Sequence, residues 1–278
     1  MTDARPAETA RNEQVARLIE SHHGFIFDLD GTLYLGDHLL PGAKRTLRGL
    51  RAADKRVAFV SNKPIGTREE YAEKLNRLGI PCSVEEVINS SLVAARWLQK
   101  HHPGARCFPV AERPVIDELK AHGLRICRDP EQIQVVVVSF DRTFDYEKLN
   151  ISYRAALHGA QLMATNPDRT CPMPDYDLPD AACMIAAIEA CTERKVEPIV
   201  GKPSPIMLRE ALDILDLPPQ RCAMVGDRLE TDMRMAREAG LTPVLVLTGV
   251  TERTDLSALP LQPDLVLESV RQIAEVLS

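Results

Sequence analysis

Short apolar runs alternate with stretches in which apolar residues recur every three or four positions. This pattern predicts strand and helix in turn along most of the chain. Residues 7–21, rich in Ala, Glu and Arg with Val15, Leu18 and Ile19 at helical spacing, predict a short amphipathic helix laid against the first strand. The apolar run from Gly24 to Phe27 is that strand, and it delivers Asp28 and Asp30 to a break at Gly31-Thr32. Pro41 starts a helix through Leu47 and Leu50, and residues 56–60 read as a buried strand ending in Ser61-Asn62-Lys63-Pro64. Thr67 and Glu70 form a capping box for the next helix, which Gly79 ends.

The alternation continues with helices over 90–101, 112–121, 146–158 and 180–193 and strands over 105–110, 134–139 and 161–165. Four consecutive valines in the second of these strands are a central-strand signal. Residues 166–177 form a proline- and aspartate-rich loop too long to be a mere connector. The last third predicts strands over 197–200, 222–226, 243–247 and 264–267, with helices over 204–215, 231–239 and 269–277. Such alternation argues for an α/β fold built on a doubly wound parallel sheet, whose ligands bind at the carboxyl ends of strands.

At 278 residues, 45% hydrophobic and 27% charged, the chain has room for one large or two medium domains. A net charge of -6 without a basic block argues against a nucleic acid polymer or an acidic membrane as partner. The polar N-terminus lacks a signal-peptide core, and no apolar run approaches the roughly 18 residues of a membrane span. The seven cysteines are scattered, odd in number and without a Cys-x-x-Cys pair, which points to reduced thiols in a cytoplasmic protein. The pair His22-His23 reads as a solvated loop.

Candidate chemistry gathers at the polar punctuation. Two carboxylates at i and i+2 leave the same side of an extended backbone, where one can attack and the other shuttle a proton. An ordinary strand end followed by an Asp-Gly turn uses the same residues. Asp28, Ser61, Lys202 and Asp227 each follow an apolar strand run, so a parallel sheet would bring them to one edge. Asp28, Asp30 and Asp227 suit a hard cation such as Mg2+, and Ser61 and Lys202 suit phosphoryl oxygens. No Walker loop and no Gly-x-Gly-x-x-Gly is present, which disfavours P-loop and dinucleotide chemistry.

Four segments resemble, in order, the motifs of the haloacid dehalogenase-like (HAD) hydrolase superfamily. They are Phe27-Asp28-Leu29-Asp30-Gly31-Thr32, Val60-Ser61-Asn62, Gly201-Lys202-Pro203-Ser204-Pro205, and Gly226-Asp227 through Asp232. The stretch Leu33-Tyr34-Leu35-Gly36-Asp37, with Leu40-Pro41-Gly42-Ala43 and Gly-Lys-Pro-Ser-Pro, is similar to subclass IIA, which holds the NagD-type and 4-nitrophenylphosphatase-like enzymes. The resemblance implies a Mg2+-dependent phosphatase of small phosphorylated metabolites that works through an aspartyl-phosphate. Asp28 would be the nucleophile and Asp30 the acid and base. Asp28, the Asp30 main-chain carbonyl and Asp227 would hold Mg2+, with Asp232 behind them orienting Lys202 or a metal-bound water. Ser61 and Asn62 would grip the phosphoryl group and Lys202 would neutralise it.

The resemblance also implies a Rossmann-like core of residues 1–82 and 191–278, with an inserted α/β cap over 83–190. About 140 residues separate Ser61 from Lys202, far more than one crossover needs. The loop 166–177 is the expected substrate contact through Asn166 and Asp168, although Asn-Pro-Asp is also good turn chemistry. The second motif commonly reads Thr-Asn-Asn in this branch but Ser61-Asn62-Lys63 here. Lys63 is expected to favour substrates with a second negative charge, or else is a solvated lysine at a helix start. A dehalogenase, a phosphoaspartate receiver and a non-catalytic binding module are the competing readings. A dehalogenase needs neither the metal nor Asp30, and a receiver lacks a cap. Neither the individual metabolite nor pairing of caps into a homodimer is readable from the sequence.

Overall fold

The computed structural model describes residues 6–171, 176–254 and 262–277. Those among them that lie within 1–60, 72–87 and 208–278 form one compact unit, and those within 61–71 and 88–207 a second. Residues 61–71 and 191–207 cluster with residues 88–190.

The central strands of the first unit are apolar and buried on both faces, which dictates a parallel sheet covered by helices. Six strands lie in the order Leu265–Leu267, Thr242–Val246, Cys222–Gly226, Gly24–Asp28, Arg56–Ser61, Val87–Asn89. Gly24–Asp28 pairs in parallel with both neighbours, with Phe27 opposite Val225 on one side and Asp28 opposite Val60 on the other. Phe25, Ile26 and Phe27 are wholly buried. The chain adds strands first to one side of Gly24–Asp28 and later to the other. That reversal makes the carboxyl end of Gly24–Asp28 the place where such a sheet opens a crevice. Helix Ala43–Ala52 buries Ala43, Thr46, Leu47 and Leu50 at spacings of three and four, and Thr46 Oγ1 donates to the Val270 carbonyl at 2.6 Å. The expected capping box is formed: Thr67 N–H donates to Glu70 Oε2 at 2.8 Å and Glu70 N–H to Thr67 Oγ1 at 3.2 Å.

The second unit has its own parallel sheet of four strands, Arg125–Ile126, Arg106–Val110, Val135–Val138 and Gln161–Ala164 in that order. The valine run is an interior strand with every residue buried, as its composition predicts. Helices Tyr146–Leu157 and Ala181–Thr192 pack Ile151, Ala155, Ile185 and Ile188 onto Val136, Val138 and Leu162. Asn89 and Asp145 cap helices Ser90–His101 and Tyr146–Leu157 by accepting the N–H of Leu92 and Lys148. The α/β expectation, a parallel-sheet core with an inserted α/β segment, therefore holds.

Three expectations change. The strand over 197–200 is not a regular strand. Pro198 has no N–H to give, so the segment runs irregularly along Gln161–Ala164, with Glu197 N–H on Leu162 O at 2.9 Å, Ala164 N–H on Pro198 O at 3.0 Å and a single bridge between Ala164 and Ile199. The helix expected over 231–239 starts earlier, as a π-helical turn Leu229–Met233 that runs into helix Arg234–Glu238. His22 is buried and not solvated, with Nε2 at 2.7 Å from Thr242 Oγ1.

Candidate active site

In the first unit, Asp28 is the last residue of its strand and Asp227 follows Cys222–Gly226, the neighbouring strand. Asp232 comes from the π-helical turn, which reaches back so that its Oδ2 accepts the Arg228 N–H at 3.2 Å. All three are buried, and each offers a carboxylate oxygen within 4.8 Å of the others. Three like charges so close repel one another unless a cation lies among them. The donor set is oxygen only, so it fits a hard divalent ion such as Mg2+ and not a soft one. Asp30 is half-buried and not a member of this trio. Asp232, expected behind the metal, stands among the clustered carboxylates themselves.

Small residues make room for the cluster. Gly31 has φ +81, and a Cβ on it would lie 2.6 Å from Asp227 Oδ2. A Cβ on Gly226 would lie 2.5 Å from Asp232 Oδ2. The loop after Thr242–Val246 closes over Asp227: Thr248 Oγ1 donates to Gly31 O at 2.6 Å and Val250 N–H to Asp227 Oδ2 at 2.7 Å.

In the second unit, Ser61 ends strand Arg56–Ser61 and accepts the Lys63 N–H on Oγ at 3.2 Å, while Tyr71 Oη donates to Lys63 O at 2.8 Å. Lys202 is buried and follows the irregular segment, not a regular strand. Asn62, expected on the phosphoryl group, turns its amide to Lys202. Its Nδ2 donates to Lys202 O at 3.0 Å and its Oδ1 accepts the Lys202 N–H at 2.7 Å. Asn166 is wholly buried, with Oδ1 accepting from Thr165 Oγ1 at 2.8 Å and Nδ2 donating to Asp180 Oδ1 at 3.1 Å and Asp168 Oδ2 at 3.3 Å. Asp168 is half-buried, and residues 172–175 of the same loop lie outside the described residues.

The sugar-phosphatase AraL of Bacillus subtilis is 34% identical over 266 residues, which cover 94% of this chain and 97% of AraL. The sequence profile of haloacid dehalogenase-like hydrolases matches residues 25–125, and a second HAD-like profile matches 199–273. The chain belongs to the haloacid dehalogenase-like hydrolase superfamily. Within it, the chain falls in the NagD-like branch. The 4-nitrophenylphosphatase of Thermotoga maritima superposes with a TM-score of 0.89 at 34% identity, covering 94% of this chain and 99% of that one. NagD from E. coli K-12 superposes with a TM-score of 0.83 at 28% identity, covering 90% and 98%.

The two HAD profiles between them take in Asp28, Asp30, Ser61, Lys202, Asp227 and Asp232. The segment Thr248–Val250, which packs on Asp227, escaped the sequence reading. Its signal was present, because it follows an apolar strand run as Asp227 does. Cys107 and Cys222 are buried, and burial pushes their thiol pKa values up to about 12 and about 11. Among the described residues no helix is long and apolar enough to cross a membrane.

Proposed function

We propose that this HAD hydrolase is a Mg2+-dependent phosphomonoesterase acting on small phosphorylated metabolites. The observation that carries the reading is the trio Asp28, Asp227 and Asp232, three buried carboxylates from separate segments with oxygens within 4.8 Å. These groups, with the main-chain carbonyl of Asp30, would hold the ion. When bound, the ion supplies charge neutralisation to the phosphoryl group and to the attacking carboxylate.

The protein's own groups then carry two displacements. The Asp28 carboxylate attacks phosphorus, the bond from phosphorus to the leaving oxygen breaks, and Asp30 protonates that oxygen to release an alcohol. Asp30, now a carboxylate, takes a proton from water. The hydroxide attacks phosphorus, the bond to Asp28 breaks, and inorganic phosphate leaves. Lys202 and the Ser61 hydroxyl stabilise the phosphoryl oxygens, and the ammonium does so more strongly as their charge builds. In this reading the inserted α/β segment within 83–190 is the source of the specificity contacts and of water exclusion. The relatives described as a sugar phosphatase and a 4-nitrophenylphosphatase support the phosphomonoester class.

The deciding experiment is a phosphate-release screen over sugar phosphates, nucleotides, phosphoglycolate, glycerol phosphate, pyridoxal phosphate and 4-nitrophenyl phosphate, with Mg2+ and with a chelator. Release from at least one of them only when Mg2+ is present, abolished by Asp28→Asn, is expected. Turnover preserved in Asp28→Asn places the nucleophile elsewhere.

A further inference from the structure

Asn62 occupies a place where a side chain could meet a ligand, yet both ends of its amide face the main chain of one other residue. The amide nitrogen donates to the Lys202 carbonyl at 3.0 Å and the amide oxygen accepts the Lys202 N–H at 2.7 Å. Both residues are buried, and 140 positions separate them. The clamp is itself held. Ser90, the first residue of helix Ser90–His101 and wholly buried, donates Oγ to the Asn62 carbonyl at 2.7 Å. Gly201 N–H donates to the Thr165 carbonyl at 2.8 Å, and a Cβ on Gly201 would stand 2.6 Å from Asn62 Oδ1. Glycine is therefore required where the two segments meet.

The arrangement replaces something the fold lacks. Ser61 and Asp28 sit at the ends of regular strands, whose ladders fix where their side chains start. The segment before Lys202 is tied to its neighbour by a single bridge at Ile199 and by the N–H groups of Val200 and Gly201, on Ala164 O and Thr165 O, and the main chain of Lys202 itself is met by the Asn62 amide. A lysine reaches its target through four methylenes, so any play at the Cα is passed on to the ammonium. An amide that takes both the N–H and the C=O of one residue does locally what a neighbouring strand does, and it leaves no buried main-chain group unpaired there.

We propose that Asn62 is the positioning residue of Lys202, a main-chain clamp that sets where the ammonium meets the phosphoryl group and does not itself grip the phosphate. This rests on the reading of Lys202 as the phosphoryl-neutralising cation. The clamp acts on the transition state through Lys202, so its loss falls on kcat more than on KM.

The test is a double-mutant cycle with Asn62→Ala, Lys202→Ala and the double variant, assayed on 4-nitrophenyl phosphate with Mg2+ and checked by thermal unfolding. Asn62→Ala is expected to lower kcat by about 10- to 100-fold with KM moving less than about threefold. Lys202→Ala is expected to cost about 10²- to 10⁴-fold. The double variant should then be no slower than Lys202→Ala alone, within about twofold, because the clamp has nothing left to position. Should Asn62→Ala fail to fold, Asn62→Asp is used in the same cycle. It can still accept the Lys202 N–H but sets a carboxylate oxygen against the Lys202 carbonyl, and the same non-additivity is expected. Losses that simply multiply overturn the positioning role while leaving the role of Lys202 intact. A Lys202→Ala enzyme with undiminished kcat overturns both.

Discussion

Gly249 lies so close against Asp227 that a Cβ on it would stand 2.5 Å from the carboxyl carbon and 2.8 Å from the Asp227 Cβ. The carboxylate is set among Asp28 and Asp232, and the exposed loop is tied to it by Val250 N–H on Asp227 Oδ2, so an added methyl bears on the trio. Gly249→Ala should therefore push Asp227 out of the trio. The Mg2+ concentration for half-maximal 4-nitrophenyl phosphate hydrolysis should rise by about tenfold or more, a cost of about 1.4 kcal/mol. An unchanged Mg2+ titration would show that the loop gives way at no cost to the site.

Chelation and neutralisation of the trio should move stability in opposite senses. Three buried carboxylates without a cation repel, so Asp232→Asn should raise the Tm of chelator-treated protein. In the unmutated protein, Mg2+ at about a hundred times its Kd contributes about 2.7 kcal/mol, a Tm rise of roughly 5 °C or more for a chain of this size. The same addition should raise the Tm of Asp232→Asn by less than half as much. Thermal scans of both proteins, with chelator and with Mg2+, check both signs at once.

The sequence announced the fold through its longest signals. Apolar runs such as Val135–Val138 have one stable solution, an interior parallel strand, and the capping box at Thr67 and Glu70 is local chemistry that tertiary packing had no reason to override. Asp28 and Asp227 were legible as strand-end carboxylates for the same reason. Asn62 was not, since whether an amide faces a ligand or the main chain of a residue 140 positions away depends on contacts that no local pattern encodes. Pro198 carried readable information, a missing donor, whose consequence for the strand before Lys202 was overlooked. His22 misled because a polar pair after a helix looks solvated. Only the tertiary contact with Thr242 shows why it is buried.

His22 should impose a pH dependence on stability. Nδ1 lies 2.9 Å from the Leu18 carbonyl and Nε2 2.7 Å from Thr242 Oγ1, so a neutral ring can donate to the first and accept from the second. Burial holds its pKa below the ordinary 6.5, aided by Lys55 and Arg221 and opposed by the Leu18 hydrogen bond. The unfolded chain therefore binds the proton more readily. The contribution is fully present above about pH 6.5 and is lost as pH falls through the lowered folded value. The urea midpoint should drop between pH 7.5 and 5.5 by more in the unmutated protein than in His22→Gln. Equal slopes would mean that the ring titrates alike in both states.

Lys63 departs from the Asn usual at its position in this branch, and its main chain is tied to Ser61 Oγ and Tyr71 Oη beside the proposed phosphoryl-binding hydroxyl. A cation there rewards a second anionic group on the substrate. Lys63→Asn should raise KM several-fold for substrates such as phosphoglycolate or a bisphosphate while leaving a neutral sugar phosphate within about twofold. The comparison of the two KM ratios decides it, and an equal change in both would reduce Lys63 to a general phosphate contact.

Asp141 and Lys148 form a buried ion pair in the second unit whose loss should be costly. Asp141 has no exposed side-chain surface, and Lys148, in the first turn of helix Tyr146–Leu157, places Nζ 2.5 Å from its Oδ2. Thr143 gives Asp141 Oδ1 both its N–H at 2.9 Å and its hydroxyl at 2.7 Å, so the carboxylate is held in place whether or not the lysine is there. Lys148→Met fills the methylene space but strands a buried charge, at a cost of about 3 kcal/mol. Arg128→Ala breaks the pair with Glu147, whose side chains are 59% and 66% exposed, and should cost no more than about 0.5 kcal/mol. Adding Asp141→Asn to Lys148→Met should recover part of the loss, because the polar group left behind carries no charge. Urea unfolding of the four proteins measures all three differences. A Lys148→Met variant as stable as the parent would show that Thr143 and solvent alone suffice for Asp141.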